Sequence, residues 1–444
     1  MNDYLGAVRN ATLTRKLGSV RQLSAQSLHA WGPDVAVGTL CEINCNVQDQ
    51  ANTPTLLAEV VGLRPGGLTV LMPYGSVQGV RAGDEVRALG DVSEMLVGPG
   101  LVGRVVNGWG ETLDKQGPLE QVQKVQMSTQ APPPMTRTRI EKVLPTGVRA
   151  IDTLLPIGCG QRMGIFAGSG VGKSTLLGMI AQNARADVNV IALIGERGRE
   201  VRDFIERHLG ADGMARSVVV VATADEPAVM RLRATHYAVA VAEHFRNHGH
   251  HVLLTLDSIT RYAMARREVG LAAGEPPTAR GYTPSVFTDI ARLCERCGTQ
   301  EAGGIVTALM TVLVEGDDMN DPIADCLRAT LDGHIVLTRT IAHTGRFPAV
   351  DVLHSTSRLM PQITSGSERD LITRALSCMA LVERNRAMVD IGAYQSGSNP
   401  QLDAALRTMQ GLEDFLRQDA AEYSSRTDSL ARLETLLRTM DVRT

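Results

Sequence analysis

Two hydrophobic textures divide the chain. From Gly18 to about residue 95, short apolar stretches alternate with turn residues: DVAVGTLCEINCNV, TLLAEVVGL, GLTVLMP and DEVRAL. Pro65-Gly66-Gly67 lies between two of them as a hairpin turn. Short, evenly spaced strands of this kind predict a small β-barrel. From about residue 146 continuous apolar runs take over: GIFAG, VIALIG, SVVVVAT, HVLLTLD, GIVTALMTVLVEG and HIVLTR. Amphipathic segments such as STLLGMIAQNA and AVMRLRATHYAVAVAEHF separate them. Buried strands between helices predict a parallel sheet covered on both faces. After about residue 370 the pattern is helical. Leu402, Leu406, Met409, Leu412 and Leu416 form one apolar stripe, and Leu430, Leu433, Leu437 and Met440 another.

The expected organisation is therefore α/β, with segments 1–17, 18–95 (barrel), 96–145 (connector), 146–370 (parallel-sheet domain) and 371–444 (C-terminal helical domain). The connector carries VGPGLVGRVVNGWG and Pro132-Pro133-Pro134. Residues 1–17 place Leu5, Val8, Leu13 and Leu17 loosely on one face, as a frayed terminus or a partner-binding helix.

Composition narrows the function classes. The 444 residues carry a net charge of −3, against a globally basic nucleic-acid binder. No apolar run approaches the length of a membrane span, and MNDYLGAVRNATLTRKLG lacks the apolar centre of a secretory signal. A cytoplasmic chain is expected. Seven scattered cysteines fit reduced thiols. Cys294 and Cys297 form a C-x-x-C, and Cys41 and Cys45 are close. Without a second matching pair for zinc, Val286, Ile290, Leu293, Cys294 and Cys297 read as one buried side of a helix.

The sharpest chemistry is AGSGVGKST, residues 167–175, which is G-x-x-x-x-G-K-[ST] with Ala167 in place of the first glycine. Apolar GIFAG precedes it and helical STLLGMIA follows it, the setting a phosphate loop requires. Gly168, Gly170 and Gly172 let backbone N–H groups, with those of Ser169 and Val171, turn onto phosphate oxygens. The helix start adds its positive end. Lys173 would reach the terminal phosphates, Ser174 would offer a hydroxyl to Mg²⁺, and Thr175 follows. Ala167 serves if its φ stays negative.

Three further elements accompany the loop. HVLLTLD ends a strand at Asp257, a carboxylate for a Mg²⁺ hydration shell or a plain helix cap. IALIGERGREV places Glu196 and Arg197 directly after a strand, where a carboxylate orients and polarises an attacking water, or joins a solvated charge cluster. GRFPAVDVLHSTSRLM carries Phe347, which could stack on adenine or pack in the core. It also carries Arg358, a stabiliser of phosphoryl charge or a structural ion-pair partner.

Taken together these pieces resemble the catalytic subunits of rotary and type III secretion ATPases. LPTGVRAIDTLLPIGCGQR, AGSGVGKST, GERGREV, EGDDMNDPIAD, LDGHIVLTR and FPAVDVLHSTSR occur in family order over nearly the whole chain. The resemblance implies a RecA-like P-loop core between barrel and helical domain, with ATP and Mg²⁺ as ligands. It implies Lys173 and Ser174 on phosphate and Mg²⁺, Glu196 as catalytic carboxylate with Arg197 beside it, and Asp257 on the metal. It also implies Phe347 against adenine and Arg358 as a finger into a neighbour's site. Glu196 and Arg358 in one chain imply a homohexamer. EGDDMNDPIAD and Ala167 are similar to the export branch, and IGAYQSGSNPQLDAAL looks like the flagellar type III export ATPases.

The implied partners are a regulatory stator-like protein at the N-terminus, a central stalk protein, an export-gate membrane protein and substrate–chaperone complexes. The implied location is cytoplasmic, peripheral to the inner membrane. Three alternatives stay open: an injectisome ATPase, a hexameric RNA translocase, and a non-hydrolysing subunit. The second wants a basic, aromatic barrel. Residues 1–95 instead hold seven Lys and Arg against nine Asp and Glu, with Tyr4, Trp31 and Tyr74 as the only aromatics.

Overall fold

The computed structural model describes residues 16–24, 26–45, 55–91, 94–127, 130–301, 303–314 and 321–441. The expected N-terminal helix lies outside these residues almost entirely, as does the first part of EGDDMNDPIAD. The chain forms two compact units. One takes in Met1–Glu94 with Asp225–Arg233 and Ala263–Val286; the other takes in Met95–Ala224, Ala234–Tyr262 and Phe287–Thr444.

In the first unit six strands close into a barrel. Its order is Leu17–Leu23, Leu28–Trp31, Leu68–Pro73, Thr55–Arg64, Thr39–Asn44 and Glu85–Asp91, which pairs back with the first. The side-chain period of two decides what fills it: Leu56, Ala58 and Val60 of one strand are buried, while the residues between them are half-exposed. Val20, Leu28, Ala30, Cys41, Ile43 and Val86 complete the interior. The hairpin turn falls at residues 65–67, where Gly66 and Gly67 take φ of 82° and 77°.

The second unit is built on a nine-stranded sheet. Its main path runs Val350–Ser357, Gly333–Leu337, Arg162–Ala167, Ile305–Leu313, His251–Asp257, Val188–Glu196, Ser217–Thr223 and Val105–Val106. The pairings are parallel except at Val350–Ser357, which closes one edge antiparallel, and at Gly298–Thr299, which pairs antiparallel off the main path. Val188–Ile194 is buried throughout, as strands covered on both faces must be. The connector contributes Val105–Val106 to the far edge, so it is part of the sheet.

Three helices end the chain: Gly366–Asp390, Pro400–Leu416 and Arg426–Asp441. The first starts with a capping box between Ser365 and Glu368, and the second has Asn399 as cap with Pro400 in its first turn. Leu402, Leu412 and Leu416 of one stripe and Leu433 and Leu437 of the other are buried. Leu412, Leu416, Leu433 and Leu437 belong to the same apolar core as Ile165 and Leu193 of the sheet. Val286, Ile290, Leu293, Cys294 and Cys297 are likewise buried, and burial pushes both thiols well above their ordinary range.

One buried acid has a measurable consequence. Asp152 accepts hydrogen bonds from the Thr146 amide and hydroxyl, both at 2.8 Å, and from the Gly147 amide at 2.9 Å. Burial nevertheless raises its pKa to about 6, with these bonds working in the opposite direction. A raised acid pKa means that Asp152's contribution to stability is full below about pH 4 and is lost as pH rises through about 6. In Asp152→Asn an amide faces those donors. The melting temperature of wild type should therefore exceed that of the variant most near pH 4, with the gap narrowing toward pH 7. A gap independent of pH would remove Asp152 as the titrating group.

Candidate active site

The strand Arg162–Ala167 runs into the loop 168–172 and then into the helix Lys173–Asn183. Gly170 and Gly172 take φ of 79° and 89°, the left-handed region where a side chain is costly. Ala167 is absent from the residues with positive φ, so its methyl meets no backbone objection. Its carbonyl accepts a hydrogen bond from the Val314 amide at 3.1 Å. Gly172 caps the helix without any side-chain hydrogen bond, so the first-turn N–H groups face the loop without an internal acceptor. Backbone donors and a helix dipole pointing into a glycine turn make an anion cradle.

Lys173 is the hub. Its Nζ lies 3.2 Å from Glu196 Oε1 and also pairs with Asp257 Oδ1. Burial pulls the ammonium's pKa down, but Asp257 and Glu196 more than offset this and hold it above the ordinary lysine value. Both carboxylates end parallel strands, Val188–Glu196 and His251–Asp257, which are neighbours in the sheet. The topology thus delivers two acids to one end of the sheet beside the loop. This is where open α/β sheets hold ligands.

Ser174 and Thr175 sit half-buried in the first helical turn, while Ser169 is exposed and Gly168 and Val171 are buried. Among the described residues no three His, Cys, Asp or Glu side chains form a protein-made metal cage. The Ser174 hydroxyl and Asp257 suit a Mg²⁺ that keeps most of its shell from phosphate and water.

The remaining sequence candidates fall in different places. Phe347 stands against the loop: a Cβ added at Gly172 would lie 3.4 Å from its Cδ1. The residue is 44% exposed, so it is not a core residue. Arg197 is the N-cap of Gly198–Asp203 and is largely exposed, 3.5 Å from Glu200. Arg358 follows the edge strand and is exposed. Its Nη2 donates to the Arg328 carbonyl at 2.7 Å and its amide to the Asp332 carbonyl at 3.0 Å. Those bonds do not join it to the Lys173 cluster of its own chain.

Two neighbours escaped the sequence reading. The Thr311 hydroxyl donates to Asp257 Oδ1 at 2.7 Å, leaving that carboxylate held from two sides. The stem of Arg261 packs so closely on Gly195 (φ 71°) that an added Cβ would lie 2.8 Å from it. Glycine there fits both demands just before Glu196. The only signal for Thr311 was that it is one of two threonines, with Thr307, inside an otherwise apolar run.

Comparison with known proteins agrees with this geometry. Residues 147–357 match the model of the ATP synthase alpha/beta family, nucleotide-binding domain. Residues 32–90 match that family's beta-barrel domain, and residues 364–435 match the T3SS EscN ATPase C-terminal domain. The flagellum-specific ATP synthase of Bacillus subtilis is 47% identical over 422 residues, 95% of each chain. The type 3 secretion system ATPase of Xanthomonas euvesicatoria is 46% identical over 422 residues, 95% of this chain and 94% of that one. The assembled ATPase EscN of enteropathogenic E. coli superposes with a TM-score of 0.88 at 38% identity, covering 95% of this chain and 100% of EscN. In complex with its central stalk EscO, EscN gives 0.84 at 36% identity over the same coverage. A phosphate loop whose lysine meets two strand-end carboxylates, between a barrel and a helical domain all matched in order, identifies the chain as a member of the ATP synthase alpha/beta family, among its flagellar and type III secretion export ATPases.

Proposed function

We propose that this export ATPase hydrolyses ATP with Mg²⁺ at the subunit interfaces of a homohexamer, energising or priming export of flagellar proteins. The observation that carries the chemistry is Lys173, bound to both Glu196 and Asp257 at the mouth of the glycine loop. Amides of residues 168–175 cradle the phosphates and Lys173 neutralises the terminal ones. Glu196 orients the attacking water and polarises it. Ser174 and Asp257 would hold a Mg²⁺, which would supply neutralisation of phosphate charge. Phe347 stacks on the adenine. Arg197, beside Glu196, faces outward and would act in the assembled interface.

Arg358 reaches a neighbour's site. Its exposure, and hydrogen bonds that among the described residues run to the Arg328 and Asp332 carbonyls, support a finger acting between subunits. The flagellar choice rests on the tail IGAYQSGSNPQLDAAL; the similar identity to an injectisome-type ATPase makes that system the second reading. The relative solved with a central stalk supports the same kind of partner here. The N-terminal segment would meet a stator-like regulator, and the export gate and substrate–chaperone complexes would be met at the inner membrane from the cytoplasm. Among the described residues no helix is long and apolar enough to cross a membrane.

The test is phosphate release from ATP by the purified protein. It should require Mg²⁺, stop on chelation, and fall about a hundredfold or more in Asp257→Asn. Added RNA should not change it. Mg²⁺-independent turnover would remove the metal role, and strong salt-sensitive stimulation by RNA would replace export with translocation on nucleic acid.

A further inference from the structure

Behind Phe347 lies a buried polar knot that hydrolysis does not use. Arg149 opens the helix Arg149–Leu154 and is 2% exposed. Its Nη1 donates to the carbonyls of Phe415 and Arg417, at 2.8 and 3.0 Å, and its Nη2 pairs with Glu422. The guanidinium also lies 5.7 Å from the centroid of the Phe415 ring. The Arg149 amide donates to Gln418 Oε1 at 2.7 Å. Gln418, itself buried, sends Nε2 to the carbonyls of Gly147 at 2.8 Å and Glu422 at 2.7 Å. Both ends of the Gln418 side chain are thus engaged. Its amide then donates to the carbonyl of Phe347 at 2.9 Å. Phe347 in turn stands on Gly172 of the phosphate loop.

We propose that this knot is a positioning device for the nucleotide base. Arg149 and Gln418 hold the segment 415–422, and the segment holds Phe347 through its main chain. Phe347 is 44% exposed, so its own side-chain packing fixes it only partly. The hydrogen bond to its carbonyl supplies the missing constraint. The rigid fork of a guanidinium meeting two carbonyls and a carboxylate holds that segment with little residual freedom. Among the described residues no hydrogen bond or ion pair joins the knot to Lys173, Glu196 or Asp257. Its influence therefore falls on the base end of the nucleotide. Arg149 and Gln418 act through Phe347 and are positioning residues. The inference rests on the reading of Phe347 as the residue that stacks on the base.

The experiment compares ATP with inorganic tripolyphosphate, which has phosphates and no base. Phe347→Ala should raise KM for ATP about tenfold, in line with the usual worth of base–aromatic stacking. Gln418→Ala should raise it about fivefold with kcat within about twofold, and leave the inhibition constant of tripolyphosphate unchanged. Arg149→Lys keeps the charge, loses the fork, and should shift KM in the same direction; it serves if Gln418→Ala does not fold. Combining Gln418→Ala with Phe347→Ala should add nothing to Phe347→Ala alone.

An unchanged KM in Phe347→Ala would remove the stacking reading, and this proposal with it. A raised KM there with unchanged KM in folded Gln418→Ala and Arg149→Lys would overturn the knot alone. So would a weakening of tripolyphosphate as large as that of ATP, since it would show general damage to the phosphate site.

Discussion

Glu196→Gln is expected to bind ATP with nearly wild-type affinity and to hydrolyse it at least about a hundredfold more slowly, the usual worth of a positioned acid or base in proton transfer. The substitution keeps the shape and an oxygen facing Lys173 Nζ, 3.2 Å away in the wild type. It removes the negative charge proposed to polarise water. In the proposed site phosphate binding would rest on the loop amides and Lys173, so affinity should survive. Equilibrium dialysis with ATP beside a phosphate-release assay separates the two quantities. Turnover within a few fold of wild type would take Glu196 out of the chemistry. Loss of binding together with turnover would assign it to holding Lys173 instead.

A mixture of two inactive proteins should regain activity. Lys173→Ala would lose the proposed phosphate contact, and Arg358→Ala the proposed finger, a group worth about a thousandfold or more in phosphoryl transfer. In a ring with head-to-tail contacts, each proposed site would combine one subunit's loop with its neighbour's arginine. Random co-assembly at equal amounts would place an intact Lys173 opposite an intact Arg358 at about one interface in four, from the statistics of such a ring. The mixture should approach a quarter of wild-type activity after assembly, against nearly none for either variant. Assembled mixtures that stay inactive would show that Arg358 does not act across an interface.

The legible part of this molecule is the part governed by local period. The short apolar stretch TLLAEVVGL set between turn residues foretells a barrel strand, and the continuous runs ending at Glu196 and Asp257 foretell strands with acids at their carboxyl ends. The glycine loop is readable because Gly170 and Gly172 meet a demand of the backbone alone. What escaped depends on register between distant strands or on contacts across hundreds of residues. Thr311 reaches Asp257 because the strands Ile305–Leu313 and His251–Asp257 pair at a particular offset, which neither run discloses. Val105–Val106 is too short to show any period, so the connector's entry into the sheet was invisible. Gln418 reaches Phe347 only once the helical domain has folded onto the core.

Ala167 bears on the chain before it folds. An alanine has fewer accessible backbone states than a glycine, so less freedom is surrendered when the strand end becomes ordered. Where the native φ is negative, as here, alanine in place of glycine stabilises by about 0.4–1 kcal/mol through the unfolded ensemble. The loop thereby keeps its conformational latitude at Gly170 and Gly172, where amides must turn inward. At the hinge with the strand, where glycine would only enlarge the unfolded chain's repertoire, it has none to spare.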